Sequence, residues 1–179
     1  ECDYVGCGFH LVPNLELPRL LGCGIDAGYV AVDAMQRTSV DGVYCAGELT
    51  DASGLDKALA AGEIAGLAFA GKDARHLYAR RNGQRRFATA LAAAFALRPE
   101  LRRLADAQTI VCRGEDVRLG GGGEWNAWRD AKLHTRCGMG ACQGRVCGSA
   151  AEVLFGWEND SVRPPLTPAR METLAGEAE

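Results

Sequence analysis

Residues 135–147 read Thr-Arg-Cys-Gly-Met-Gly-Ala-Cys-Gln-Gly-Arg-Val-Cys, and this segment decides how the chain is interpreted. Its cysteines recur every five residues, at Cys137, Cys142 and Cys147, with glycines between them. Glycine lets a backbone turn with positive φ and lets amide groups approach sulfur atoms closely. A fourth cysteine, Cys112, lies further upstream. The pattern predicts a loop in which thiolates converge on a metal ion or an iron–sulfur cluster.

These cysteines could also serve in three ways that do not involve an iron–sulfur cluster. Free cysteine behaves as a small hydrophobic residue, so the thiols could be inert parts of a core. Disulfides are disfavoured, because 8 cysteines in 179 residues are fewer than a small secreted scaffold carries. Zinc is the most serious alternative, since four thiolates suit a tetrahedral site. The spacing alone does not separate zinc from iron.

The two cysteine segments carry a resemblance to a known family. Residues 112–117, Cys-Arg-Gly-Glu-Asp-Val, followed by residues 135–148, resemble the 2Fe–2S domain related to bacterioferritin-associated ferredoxin. That domain lies at the C-terminus of FAD-dependent oxidoreductases: the large subunits of opine oxidases, hydrogen cyanide synthase and hydroxyproline or proline dehydrogenases. The resemblance implies an α/β fold class, with the tail of a two-dinucleotide-binding-domain flavoprotein fold followed by a small, mostly helical 2Fe–2S domain.

One position departs from the family pattern. Family members usually read Cys-Arg-Cys-Glu at the first site, whereas here Gly114 stands in place of the second cysteine. The resemblance implies cluster ligands at Cys112, Cys142 and Cys147, and we expect Cys137 to supply the fourth thiolate. Two alternatives stay open: an incomplete and labile cluster, or a scaffold that has lost its site.

A second resemblance lies near the start of the chain. Residues 42–50 read Gly-Val-Tyr-Cys-Ala-Gly-Glu-Leu-Thr and precede a stretch rich in alanine and glycine. As strand, turn and helix, they resemble the second FAD contact of flavoproteins such as the glutathione reductase family. The resemblance implies cofactor contacts at Gly47, Glu48, Ala58 and Leu59, with the carboxylate accepting from a ribityl hydroxyl and the helix N-terminus facing the isoalloxazine. The alternative is that Glu48 only caps the turn.

The patterns also predict local structure. Residues 29–33 and 42–46 are expected to be strands. Small residues recur every four positions at Ala58, Gly62 and Gly66, which predicts a helix that packs closely against a sheet.

The chain is expected to divide into four segments. Residues 1–71 are expected to be the C-terminal part of an FAD/NAD(P)-binding-like domain, and residues 72–108 a helical linker. Residues 109–157 are expected to form the cluster domain, and residues 158–179 an extended strap with a tail. Trp125 and Trp128, at helical spacing, are expected to pack the core of the cluster domain. By resemblance the chain corresponds to the C-terminal portion of a protein more than twice as long, so we do not expect it to hold FAD or to be active by itself.

Composition narrows the class of protein. The net charge of -3 and the pI near 5.7 argue against a nucleic-acid binder. The sequence contains no run of about 18 apolar residues, so a membrane-spanning helix is not expected. The chain opens without a methionine or an apolar leader and is rich in cysteine, which favours a reducing, cytoplasmic location.

The expected function is that of part of a flavin-dependent amine or amino-acid dehydrogenase or oxidase subunit. The chain would complete the FAD site and relay electrons through a 2Fe–2S cluster, and no residue looks like a catalytic acid or base. The implied partners are a smaller flavoprotein subunit, together with the remainder of the FAD-binding subunit. The alternative is a non-catalytic assembly module whose cysteines bind zinc or nothing, and Gly114 keeps that alternative open.

Overall fold

A computed structural model describes residues 2–4, 6, 11–121, 125–158 and 162–176. The fold is mixed, with helices and short antiparallel strand pairs, as expected for an α/β class. The chain divides into two compact units, residues 1–96 with 163–179 and residues 97–162. Among the described residues, no helix has the length and apolar character needed to cross a membrane.

The first unit is mainly helical. Its helices are α1 (Glu16–Leu20), α2 (Leu55–Phe69), α3 (Tyr78–Gly83), α4 (Arg85–Ala94) and α8 (Met171–Ala175), with 3₁₀ turns at Gly47–Leu49 and Arg75–Leu77. The alanine-rich sequence of α2 has a high helix propensity. The helix ends where Gly71 adopts a φ of +68° and the Lys72 amide donates to the carbonyl of Leu67. Its buried side packs in a small core with Ala74 and Leu77.

A tight hairpin forms β1 (Ile25–Asp26) and β2 (Tyr29–Val30), which pair antiparallel. The two connecting residues, Ala27 and Gly28, have φ values of +47° and +82°, as a type I′ turn requires. The strand predicted over 29–33 therefore ends early. The reason is Asp33, whose carboxylate accepts hydrogen bonds from two amides downstream and turns the chain.

The strand predicted over 42–46 is also reduced. Its pairing consists of an isolated bridge between Arg37 and Tyr44, supported by the Cys45 amide, which donates to the carbonyl of Gln36 at 3.0 Å. The Thr38 hydroxyl donates to the carbonyl of Val43 and closes this short turn. Both sheets in the described part of the chain are two-stranded.

The prediction that the small residues of α2 pack against a sheet is wrong for the described residues. Gly62 and Gly66 are exposed, and a Cβ added to either would meet no atom within 4 Å. The helix buries a different side, which carries Ala60, Ala61, Ile64 and Ala68. Helix α2 contacts α3 and the turn at Gly47–Leu49, and of the predicted stripe it is Ala58 that lies close to Gly47.

The second unit is built around its cysteines. It contains α5 (Leu101–Leu104), β3 (Ile110–Cys112), β4 (Val117–Arg118), a 3₁₀ turn at Leu119–Gly121, α6 (Trp128–Thr135) and α7 (Cys147–Phe155). Its buried core consists of Cys112, Trp128, Cys137, Cys147 and Ala151. The side chains of three cysteines and one tryptophan thus make up most of this core.

The two neighbouring tryptophans have different environments. Trp128 is buried, which confirms its predicted place in the core. The prediction is wrong for Trp125, which is half-buried and stacks on His134 with ring centroids 4.2 Å apart. The helical spacing does not apply to Trp125, because Ala127 is extended and α6 begins only at Trp128.

Candidate metal centre and flavin-contact residues

Three buried cysteines converge in the second unit. The sulfur atoms of Cys112, Cys137 and Cys147 all lie within 4.8 Å of one another. Their residues are 1, 5 and 2% exposed. Three thiols that share one buried point can supply the soft thiolate ligands that zinc and iron–sulfur clusters require. The structure thus brings together three of the four ligands predicted from the sequence.

Each of these cysteines stands at the end of an element. Cys112 is the last residue of β3, Cys147 is the first residue of α7, and Cys137 follows the end of α6. Helix α6 ends at Arg136, which adopts a left-handed φ of +63°. The hydroxyl of Thr135 then accepts a hydrogen bond from the Cys137 amide at 3.1 Å. These local features turn the chain into the site.

The glycines of the loop pack on the indole ring of Trp128. Gly138 and Gly144 have φ values of +82° and +81°. A Cβ added to Gly138 would lie 2.6 Å from Cζ2 of Trp128, and a Cβ added to Gly144 would lie 3.0 Å from the same atom. The Gly138 amide also donates to Sγ of Cys112 at 3.5 Å. Both the conformation and the close packing therefore require glycine.

Cys142 lies outside the group of three. It is half-buried and sits in an outer turn, where the Gln143 amide donates to the carbonyl of Gly140 at 2.8 Å. The side-chain amide of Gln143 donates to the same carbonyl at 3.1 Å. Cys142 is nevertheless near enough to Cys137 to influence its pKa. The structure does not bring this fourth predicted ligand together with the other three.

The buried thiols share their protons unequally. A hydrogen bond from Cys147 lowers the pKa of Cys137, against the opposing effects of burial and the neighbouring thiols. The same hydrogen bond, together with burial, raises the pKa of Cys147. Cys137 is thus the member of this pair that ionises first. Metal binding would require the remaining thiols to lose their protons as well.

Two contacts tie the first cysteine segment to the second, and the sequence did not reveal them. Gly114 meets Gly140 backbone to backbone, so that a Cβ added to Gly114 would lie 3.4 Å from the Cα of Gly140. The guanidinium of Arg136 donates to the carboxylate of Glu115 at 2.7 Å. Opposite charges on residues far apart in sequence give no signal of such a pairing. The sequence also gave no sign that Trp128 supports the loop.

The predicted flavin-contact residues lie around the start of α2. Gly47 opens a 3₁₀ turn with a φ of +79°, and a Cβ added there would lie 3.7 Å from the Cβ of Ala58. Glu48 is exposed, and Leu59 is 53% exposed. The residue before α2 is Gly54, which has no side chain to cap the helix. The structure brings Gly47 next to Ala58 and leaves the other two side chains in solvent.

Curated proteins similar to this chain are of one kind, the A subunit of opine oxidase. The protein of this name from Rhizobium meliloti (strain 1021) is 32% identical over 211 aligned positions, which cover 98% of this chain and 44% of the relative. The protein of the same name from Agrobacterium tumefaciens (strain Ach5) is 27% identical, covering 92% of this chain and 39% of the relative. A further Rhizobium meliloti protein of this name is 27% identical over 92% of this chain and 37% of its own length.

No family model matches the chain, and no solved structure matches it at a significant level. The chain spans less than half the length of the curated relatives it matches. The resemblance to large subunits of the opine oxidase type, inferred from the cysteine segments, is confirmed. Over nearly all of its residues, this chain is related to the A subunit of opine oxidase.

Proposed function

We propose that the chain is part of the large subunit of a flavin-linked oxidoreductase, where it completes an FAD site and holds a 2Fe–2S cluster that relays electrons. The observation that carries this proposal is the convergence of three buried thiols in a relative of the opine oxidase A subunit. The grouping of the three thiols at one buried point supports the proposal, because soft metal ions and iron–sulfur clusters are bound by converging thiolates.

The donor set suits the proposed cluster. Cys112, Cys137 and Cys147 would supply three thiolates, and Cys142 would supply the fourth. Cys137 would replace the ligand that relatives usually carry at the position of Gly114. When bound, such a cluster accepts and passes on single electrons at a potential that depends on hydrogen bonds to sulfur and on solvent exposure. The Gly138 amide already donates to the Cys112 sulfur, and burial keeps water from the three grouped thiols.

The flavin part of the proposal rests on the turn before α2. Gly47 would allow close approach of the cofactor, the exposed carboxylate of Glu48 would accept a hydrogen bond from a hydroxyl group, and Ala58 and Leu59 would line the contact. The uncapped N-terminus of α2 would favour negative charge near it. Because the chain covers only part of its relatives, the remainder of the FAD-binding subunit would supply the other contacts.

The relatives suggest the setting of the reaction. Since each is named as one lettered subunit of an oxidase, we propose that this chain works in a hetero-oligomer, with a smaller flavoprotein subunit for its partner. The substrate would be an amine or an amino acid that loses hydride to flavin. A cytoplasmic location would keep the thiols reduced.

A second candidate is a zinc-bound assembly module. It is favoured by one observation, namely that Gly114 and the outlying Cys142 leave three grouped thiols, because zinc can bind three protein ligands and a water whereas a cluster is held by four. Zinc also accepts four thiolates, so both candidates use the same residues. Iron and zinc differ in colour and redox activity, and these properties separate the two candidates.

The test is anaerobic reconstitution of the chain, followed by iron, sulfide and zinc analysis and by absorption spectra before and after dithionite. We expect about two irons and two sulfides per chain, with visible bands that bleach on reduction. Alanine at Cys112, Cys142 or Cys147 should abolish these bands, whereas Cys2→Ala, which changes an exposed cysteine, should leave them unchanged. Zinc, or no metal, would overturn the electron-relay proposal. Full iron content in Cys137→Ala would remove Cys137 from the ligand set.

A further inference from the structure

The first unit contains a pocket that the cysteine site and the flavin-contact residues do not explain. Its volume is about 570 Å³, within the range of roughly 300–1,000 Å³ that is usual for small-molecule sites. One wall comes from helix α4 and the residue after it, through Ala88, Leu91, Ala92 and Phe95. Residues 51–53 line it as well. Gly47, Glu48, Ala58 and Leu59 are not among its lining residues.

The wall from α4 leaves room because of its alanines. Ala88 and Ala92 are one helical turn apart and therefore share a side of the helix, as do Leu91 and Phe95. Methyl side chains at the first two positions keep the space open, while the two larger residues bound it. Tyr29 of β2 adds a second aromatic ring to the lining. Two aromatic side chains favour an aromatic ligand, because ring pairs gain more than their buried area alone.

Among the described residues, the charged groups at the pocket neutralise each other. Asp51 lines the pocket, and its carboxylate forms an ion pair with Lys57 and accepts a hydrogen bond from the hydroxyl of Ser53. The Lys57 ammonium also donates to the Ser53 hydroxyl at 3.1 Å. The side chain of Lys57 is 15% exposed and that of Asp51 is 40% exposed. An ionic ligand would lose its hydration in the pocket, and the Asp51–Lys57 pair would offer it no unpaired opposite charge in return.

We propose that this pocket binds an uncharged small molecule with one or two aromatic rings. The size of the pocket sets the scale of the ligand, its apolar lining favours a ring system, and the closed Asp51–Lys57 pair excludes a net charge. The inference does not rest on the proposed electron relay, since it uses none of the cysteines or the predicted flavin contacts.

The test uses N-phenyl-1-naphthylamine, a neutral aromatic probe whose fluorescence rises in apolar surroundings. We expect saturable binding of one probe per chain. Ala92→Leu should weaken binding by at least about tenfold by filling the pocket. Ala93→Leu is the matched control, because it makes the same change on α4 at an exposed residue that does not line the pocket. Ala88→Leu gives a second filling variant, and thermal unfolding checks that each variant folds.

The charge assignment is tested with 8-anilino-1-naphthalenesulfonate, which has the same rings and an added negative charge. It should bind at least about tenfold more weakly than the neutral probe. Equal affinity of the two probes would overturn the uncharged class, and equal binding of the neutral probe to the Ala92→Leu and Ala93→Leu variants would overturn the pocket itself. Cys147→Ala should leave binding unchanged, which separates this result from failure of the cluster proposal.

Discussion

Replacing Gly138 by alanine tests whether the cysteine loop is held by its contact with Trp128. The substitution introduces two costs. The first is the φ of +82°, which costs an L-residue about 1–2 kcal/mol. The second is steric, because the new Cβ would lie 2.6 Å from Cζ2 and 3.0 Å from Cη2 of the buried indole. Overpacking of this kind costs about 1–3 kcal/mol. The free energy of unfolding should therefore fall by about 2–5 kcal/mol.

Gly156→Ala is the matched control for this change. Gly156 also has a positive φ, +72°, but a Cβ added there would meet no atom within 4 Å. It should therefore cost only the backbone contribution of about 1–2 kcal/mol. The difference between the two variants measures the clash with Trp128.

Urea denaturation followed by tryptophan fluorescence provides the measurement. The three tryptophans, at positions 125, 128 and 157, all lie in the second unit, so the signal reports the unit that contains the change. Trp128→Phe then tests the cause, because phenylalanine lacks the atoms that Cβ would approach. In that background the extra cost of Gly138→Ala should largely disappear, giving a coupling energy of about 1–3 kcal/mol.

Two results would refute this reasoning. If Gly138→Ala were no more destabilising than Gly156→Ala, the loop could not be packed against the indole as described. If the extra cost persisted in the Trp128→Phe background, the clash would have another source.

Three further predictions concern single contacts. Arg136→Gln should slightly destabilise the second unit by removing the ion pair between the cysteine segments, and urea curves should show a smaller effect at high salt. The Arg75 guanidinium lowers the pKa of Asp73 from 3.8 to about 2, so its stabilising effect is complete above pH 3.8 and is lost as the pH falls through about 2. An NMR titration should show this midpoint, and Arg75→Gln should return it toward the ordinary value. If Cys137→Ala loses iron, adding Gly114→Cys to that variant should restore it. A Cβ at position 114 would lie 3.4 Å from its nearest atom, an ordinary contact distance, so the new side chain fits. Continued absence of iron in the double variant would mean that a cysteine at position 114 cannot replace Cys137.

The sequence predicted best where local chemistry is decisive. Cysteine and glycine in residues 135–147 predicted a turning segment near a thiol site, and the structure has turns between α6 and α7. The assignment of all four cysteines and of the flavin contacts to cofactors stays a prediction.

Prediction from the sequence failed where the surroundings of a helix or strand decide which of its sides is buried or how far it extends. Helix α2 presents two series of small residues, and alanine and glycine alone do not show which series becomes buried. Apolar residues predict strands at 29–33 and 42–46, but the Asp33 carboxylate accepts from a nearby backbone amide and the Thr38 hydroxyl donates to a nearby carbonyl, which shortens both strands. The pocket beside α4 is lined by residues from several segments that are distant in sequence, so no single stretch of sequence predicts it.

The cysteines of residues 137–147 are evenly spaced in sequence, but the loop geometry gives them different positions. Gly138 and Gly144 both turn with positive φ against the same indole, and a Cβ added to Gly138 would lie 3.4 Å from the Cα of Gly144. The loop therefore closes on itself. This brings its flanking residues Cys137 and Cys147 together and leaves Cys142 in the outer turn between them. For Cys142 to act as a ligand, the outer turn would have to move inward and break the hydrogen bonds that Gln143 donates to the carbonyl of Gly140. Three thiols are arranged by the fold, and the fourth would be recruited on binding.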